Sequence, residues 1–253
     1  MIITINKVLF ILIIMFLASC ASTNETTYFN NIQSGTIPAP TTNVDVPIQK
    51  NDILSISINS LNPEATAVFN TSTSNRTTEA LGYLVNEDGF IQLPIIGNIK
   101  AIGLTKKQLS DQITKLLIDQ QLLVDPIVNI RHLNFKVTVL GEVAKPTVIN
   151  VPSEKISLLE AIGLAGDLTI YGKRENVLLI REKQNGQKDI FRINLNNDQI
   201  FRSDFYYLQP NDVVYVAPNK IKMNQATKNP QMIPIIISTL SLAAIVIDRL
   251  TRY

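Results

Sequence analysis

The chain has 253 residues, 45% hydrophobic and 17% charged, with Lys+Arg 23 against Asp+Glu 21. That balance excludes the basic footprint of a nucleic-acid binder, and a single cysteine excludes both an internal disulfide and a Cys-based zinc site. The length permits one or two domains with appendages; Trp is absent and His occurs once.

Lys7 precedes an unbroken apolar run, Val8 to Leu17, and the small residues Ala18 and Ser19 lead to Cys20. A basic residue, an apolar stretch of that length and small residues before a cleavage point are the order of a secretory signal peptide, expected here over 1–19. The tetrad Leu17-Ala18-Ser19-Cys20 resembles the bacterial lipobox. Cys20 is then expected to be diacylated, and two or more chains at roughly 0.8 kcal/mol per buried methylene anchor stably. Ala21 is not Asp, so the enterobacterial sorting rule sends such a lipoprotein to the outer membrane. Residues 20–46, rich in Ser, Thr, Asn and Pro without apolar periodicity, read as a flexible lipidated tether; Tyr28 and Phe29 are candidates to dock on something.

Leu54, Ile56 and Ile58 alternate with polar residues, a half-buried strand. "YLVNEDGFIQLP" reads as two short strands around the turn Asn86-Glu87-Asp88-Gly89. Thr105 with Gln108 makes a capping box, Leu104 can staple against Leu109, and Leu109, Ile113, Leu116 and Leu117 form one apolar face. "DPIVNIR" follows as a strand, so 47–132 reads as a β-hairpin-helix-β unit.

The second unit, 133–218, opens with Phe135, Val137 and Val139 on one strand face, followed by a turn from Gly141 to Pro146. Ser157 with Glu160 caps a short helix, Asn185-Gly186 marks a hairpin, and "LQPNDVVYVAP" closes the unit as a strand. The order predicts a compact α+β domain. "IQKNDILSI" (48–56) echoes "LQPNDVVYV" (208–216). Asn tolerates positive φ and Asp bonds the backbone after it, so a shared turn solution is the favoured reading.

After a linker at 219–232, residues 233–252 are long and apolar enough to predict a transmembrane helix of about 30 Å. Ser238, Ser241, Asp248, Arg249 and Arg252 fall on one stripe at 100° per residue. Copies arranged about an axis could point those stripes at one another or at water; a plain anchor is the alternative.

Catalysis finds little support. His132, at the junction of the two units, reads as a turn or interface residue. The sequence lacks GxSxG, HExxH, a Gly-rich phosphate loop and C-x-x-C. Glu87, Asp88, Glu142 and Asp167 sit in turns, where acids are usually solvated, and Tyr171, Tyr206 and Tyr207 are the aromatics available to stack on sugar rings. No cofactor, metal ligand set or catalytic residue is expected.

These pieces coincide with a family. The lipobox, "VPIQKNDILSISI", "GYLVNEDGFIQLPIIGNIKAIGLTKKQLSDQI" and "DPIVNI" resemble the polysaccharide biosynthesis/export domain. "VTVLGEVAKPTVINVPSEKISLLEAIGLAGDL", "NVLLIR" and "LQPNDVVYV" resemble an SLBB domain, a β-grasp module. Together they resemble the Wza-type outer-membrane polysaccharide export lipoproteins. The usual Pro-Gly-Asp turns stand here as Lys50-Asn51-Asp52 and Pro210-Asn211-Asp212, the usual AGG as Ala165-Gly166-Asp167, and one SLBB unit fits where larger members carry more.

The resemblance implies an α+β chain: an export β/α domain, then a β-grasp-like SLBB domain. It also implies a homo-oligomeric ring, an octamer being the candidate size, and C-terminal helices forming a barrel through the outer membrane. The partners implied are an inner-membrane copolymerase of tyrosine-kinase type, outer-membrane lipid, and capsular or exopolysaccharide as transported substrate, with no enzyme chemistry. The turn Asn86, Glu87, Asp88 and Gly89 is the candidate functional loop. A monomeric periplasmic glycan-binding lipoprotein is the alternative.

Overall fold

The alternation at Leu54, Ile56 and Ile58 puts these three side chains on the buried face of β1 (Ile53–Asn59). The computed structural model describes residues 27–38, 46–70, 82–183, 185–227 and 232–251. β1 is the centre of a three-stranded antiparallel sheet, between β2 (Tyr83–Leu84) and β5 (Ile127–His132). Ile58 lies opposite Val128 and Ile56 opposite Ile130. A one-turn helix, α1 (Pro63–Ala67), starts on Asn62, whose side chain accepts the N–H groups of Glu64 and Ala65.

β3 (Phe90–Leu93) and β4 (Gly97–Lys100) pair as a separate ribbon. The next helix, α2 (Lys106–Asp119), begins in the expected capping box: Thr105 Oγ1 accepts the Gln108 N–H at 3.1 Å and Gln108 Oε1 accepts the Thr105 N–H at 2.9 Å. It buries Leu109, Ile113 and Leu117 against Leu54, Ile58 and Ile91.

The predicted hairpin over 83–93 is corrected. The turn at Asn86–Gly89 forms, but its flanks belong to different sheets, β2 pairing with β1 and β3 with β4. The entry to β1 takes the backbone that a hairpin would use: Asn51 N–H donates to Val85 O, and Val85 N–H to Asp52 O, both at 2.9 Å.

The second unit is a five-stranded sheet in the order β7-β6-β10-β8-β9. Its strands are β6 (Lys136–Gly141), β7 (Thr147–Asn150), β8 (Gly172–Glu182), β9 (Lys188–Ile193) and β10 (Val213–Pro218). The first and last of them, β6 and β10, run parallel at the centre, and every other pairing is antiparallel. One helix, α3 (Leu158–Leu164), starts in the second capping box, Ser157 with Glu160. It buries Leu158, Ala161 and Ile162 with Val137, Leu179 and Val214. Two cores result, one drawn from 48–128 and one from 135–216.

The tether expected over 20–46 is corrected at its middle. Phe29 N–H donates to Leu195 O at 3.1 Å and Asn30 N–H to Asn196 O at 2.7 Å. Tyr28 and Phe29 pack on the second core, the Phe29 ring lying 5.0 Å from that of Phe201.

The chain then forms α4 (Lys220–Thr227) and α5 (Met232–Thr251). A helix therefore occupies the expected place, Met232–Thr251. Among the described residues no helix is long and apolar enough to cross a membrane.

Candidate functional site

The two echoed segments build the same turn twice. Asn51 and Asn211 both hold φ at +65°, a left-handed conformation that Asn adopts readily. The Gln49 N–H donates to Asp52 Oδ2 and the Gln209 N–H to Asp212 Oδ2, each at 2.8 Å. Each aspartate is buried and faces a cationic or ionisable side chain on a neighbouring strand. Asp52 Oδ2 lies 3.2 Å from His132 Nε2. Asp212 accepts both arms of Arg181, Nε at 2.9 Å and Nη2 at 2.7 Å. The echo is a shared turn with a carboxylate plug, and His132 is held as an interface residue.

These turns bring the candidate loop to the second unit. Lys50 and Asn51 stand beside Glu87, with Asn51 Nδ2 donating to Glu87 Oε1 at 3.4 Å and Lys50 Nζ 4.0 Å from Glu87 Oε2. Across from them lie Glu182, Lys183 and the hairpin tip at Asn185 and Gly186. Together they line an open polar cleft of about 440 Å³ between the two units. Asn86 builds the loop, its Oδ1 accepting the N–H groups of Asp88 at 3.1 Å and Phe90 at 2.8 Å. Gly89 is required at φ +83°, where an added Cβ would meet Ile102 at 2.2 Å. Of the four loop residues predicted as functional, Glu87 alone lines the cleft.

The cleft presents ammonium, carboxylate and amide groups, so it can exchange hydrogen bonds with a hydroxyl-rich ligand. The other turn acids are engaged. Burial alone would raise the Glu142 carboxyl, but hydrogen bonds from Lys222 and Thr169 hold it below the usual carboxylate range. Asp167 accepts the Tyr28 hydroxyl, and burial together with that bond pushes the Tyr28 phenol up. Among the described residues no group of three His, Cys, Asp or Glu is placed to hold a metal ion.

Of the aromatics, Tyr207 is 38% exposed. Lys155 Nζ sits 4.0 Å from the centre of its ring and Tyr206 packs edge-on. Tyr171 has Lys222 Nζ 6.0 Å from its ring centre.

The α5 stripe is less polar than its sequence suggests. Ser238 Oγ donates to Ile235 O at 2.9 Å and Ser241 Oγ to Ile237 O at 2.8 Å. Hydroxyls satisfied on their own backbone need no second helix. Arg249 is exposed, while Cys20, Arg252 and the Asp248 side chain lie outside the described residues. Sequence reading missed the contact of Glu154 with the first unit. A loop glutamate carries no periodic signal, and its partners Lys106 and His132 are 48 and 22 residues away.

Residues 40–133 match the family model described as polysaccharide biosynthesis/export protein, and residues 135–216 match the SLBB domain. The chain is 32% identical over 97 residues to the EPS I polysaccharide export outer membrane protein EpsA of Ralstonia solanacearum. That match covers 37% of this chain and 25% of the relative. It is 33% identical over 104 residues to the protein of the same name from Ralstonia nicotianae, covering 40% of this chain and 27% of that one. The matched stretch thus spans about a quarter of either relative's length.

Proposed function

Because the chain belongs to the polysaccharide biosynthesis/export family, in its Wza-type form with an SLBB domain, we propose that it exports capsular or exopolysaccharide at the outer membrane. In this reading copies assemble into a ring around a non-catalytic passage, fed by an inner-membrane copolymerase. The observation that carries it is the export-family match over 40–133, supported by relatives named polysaccharide export outer membrane proteins.

The geometry agrees with that chemistry. A hydrated polymer needs a passage with hydrogen-bonding walls and no tight subsite, and the polar cleft at Glu87 and Glu182 is open and balanced in charge. Attachment to the membrane is assigned to diacylated Cys20 and to the apolar surface of α5. The latter exposes Ile235, Ile236, Leu240, Leu242 and Ile245 in the single chain, a contiguous surface of the kind that lipid or a neighbouring subunit covers.

Deletion of the gene should abolish surface polysaccharide while leaving its synthesis intact, measured as polymer retained in the periplasm. Mass and electron microscopy of the detergent-extracted protein should show a ring. A strictly monomeric species that still supports export would overturn the ring and favour a glycan-binding lipoprotein.

A further inference from the structure

Residues 27–32 lie as a strap on the second unit. Phe29 N–H donates to Leu195 O and Asn30 N–H to Asn196 O. The Asn31 side chain exchanges two bonds with Asp198, and the Tyr28 hydroxyl donates to Asp167. Its packing comes from two half-buried rings, Tyr28 and Phe29, while Thr27, Asn30, Asn31 and Ile32 are exposed.

Three features of the docked strap work against it. Phe29 holds φ at +53°, a left-handed conformation in which a bulky side chain is strained. Arg174 of β8 is 6% exposed, and the Tyr28 ring lies over its guanidinium at 4.9 Å. Its Nε has no hydrogen-bond partner and its Nη1 reaches Gly172 O only at 3.4 Å. Among the described residues no ion pair includes it. Asn196 Oδ1 is likewise buried and unpaired. Both groups lie under the strap: Leu195 N–H donates to Arg174 O at 2.8 Å, and Asn196 O accepts Asn30.

A buried polar atom without a partner costs at least as much as an ordinary hydrogen bond contributes, and a buried unpaired cation costs more. Undocking relieves all three features, because Arg174 and Asn196 return to water and Phe29 to an ordinary φ. Neither core is drawn from the strap, since their buried side chains come from 48–128 and 135–216. Docked and undocked states are thereby close in free energy, which is the condition for a switch.

We propose that 27–32 is a latch that opens while both units stay folded, and that its opening lengthens the reach of the lipid anchor. Closed, it holds Tyr28, eight residues from Cys20 and at most about 28 Å along an extended chain. Open, the next backbone bond to either unit among the described residues is that of Ile48 N–H to Leu104 O. Ile48 is 28 residues from Cys20, at most about 95 Å. The lengthening rests on the lipidated Cys20 of the proposed function; the latch does not.

Hydrogen exchange of the full-length protein in detergent micelles, read at single amides through sub-denaturing urea, tests the latch. Phe29 and Asn30 should exchange at least about a hundredfold faster than Leu179 and Val214, at a rate that urea leaves unchanged. Arg174→Met and Asn196→Ala each remove one unpaired atom and should slow exchange at Phe29 and Asn30 by about fivefold. Exchange at Leu179 in each variant reports that the unit is folded. Strap amides that follow the urea dependence of Leu179 and Val214 overturn the latch. Faster strap exchange in the two variants overturns it too, because those polar groups would then hold the strap down. The intact mass of the same preparation reads the anchor: a diacyl adduct at Cys20 is expected. An unmodified Cys20 overturns the lengthening together with the lipid attachment, while the exchange data decide the latch.

Discussion

Glu154 Oε1 accepts the backbone N–H of His132 at 2.6 Å, and Glu154 Oε2 accepts Lys106 Nζ at 2.9 Å. A loop residue of the second unit thereby holds both the end of β5 and the first turn of α2 in the first. It does so at φ +58°, a conformation that an ordinary side chain adopts at some cost. The strain is tolerated because the carboxylate joins two units that each have their own core.

Replacing Glu154 with Gln keeps the shape and removes the charge, which should weaken the junction by about 1 kcal/mol. Limited proteolysis of the 132–135 connection should quicken, while urea unfolding of each unit changes little.

The same residue sets an acid limit. Burial opposes its ionisation, but the hydrogen bonds from Lys106 and His132 prevail and hold its carboxyl below the ordinary range. Glu142 is lowered likewise by Lys222 and Thr169, against its burial. For a depressed carboxylate the stabilisation is complete above the unfolded value near about 4.3 and disappears as pH falls through the lower folded value. Thermal unfolding of the wild type should be flat from neutral pH to about 5 and fall below about 4. The difference in proteolysis rate between wild type and Glu154→Gln should close over the same window.

The two echoed turns should differ in their response to mutation. Asp212 is fully buried and answers a bidentate guanidinium, so Arg181→Met strands a buried carboxylate and should cost about 3–5 kcal/mol. Joint replacement, Arg181→Met with Asp212→Asn, should cost clearly less, because no unpaired charge remains. Chemical denaturation of the two variants checks this, and an equal loss would count against a desolvation origin.

Glycines at positive φ should separate by what surrounds them. Gly141 holds φ +90°, and a Cβ there would stand 2.1 Å from Val216 O, where β6 meets β10. Gly186 holds φ +77° with open space around it. Gly186→Ala should cost about 1 kcal/mol from backbone strain alone. Gly141→Ala should cost several times as much or prevent folding of the second unit, read from its melting transition.

Tyr28→Phe tests the N-terminal contact. It keeps the ring against Arg174, 4.9 Å from the ring centre, and removes the hydroxyl that Asp167 accepts. Amide exchange at Phe29 and Asn30 should accelerate by about fivefold, the effect of one hydrogen bond near 1 kcal/mol. In the wild type the phenol is raised, so its contribution is present throughout neutral pH and is lost only as pH rises beyond its ordinary value near 10.

Much of this fold is legible in local pattern. The capping boxes at Thr105 and Ser157, the alternation through Leu54, Ile56 and Ile58, and the Asn-Gly turn at 185–186 each need only neighbours within four residues. Their geometry follows wherever the chain is placed. The turn at 86–89 was legible for the same reason, yet the pairing of its flanks was not. Strand partners are chosen by competition among distant backbones, and the entry to β1 takes the groups of Val85 first.

The sequence by itself determined the element types and the two-unit order, because periodicity, caps and turn residues act locally. Tertiary structure alone decided that Glu154 joins the units. It alone placed Tyr28, Lys222 and Glu142 around one end of the second sheet. Those outcomes depend on which side chains meet across tens or hundreds of residues, and burial and hydrogen-bond satisfaction settle that only once both cores have formed.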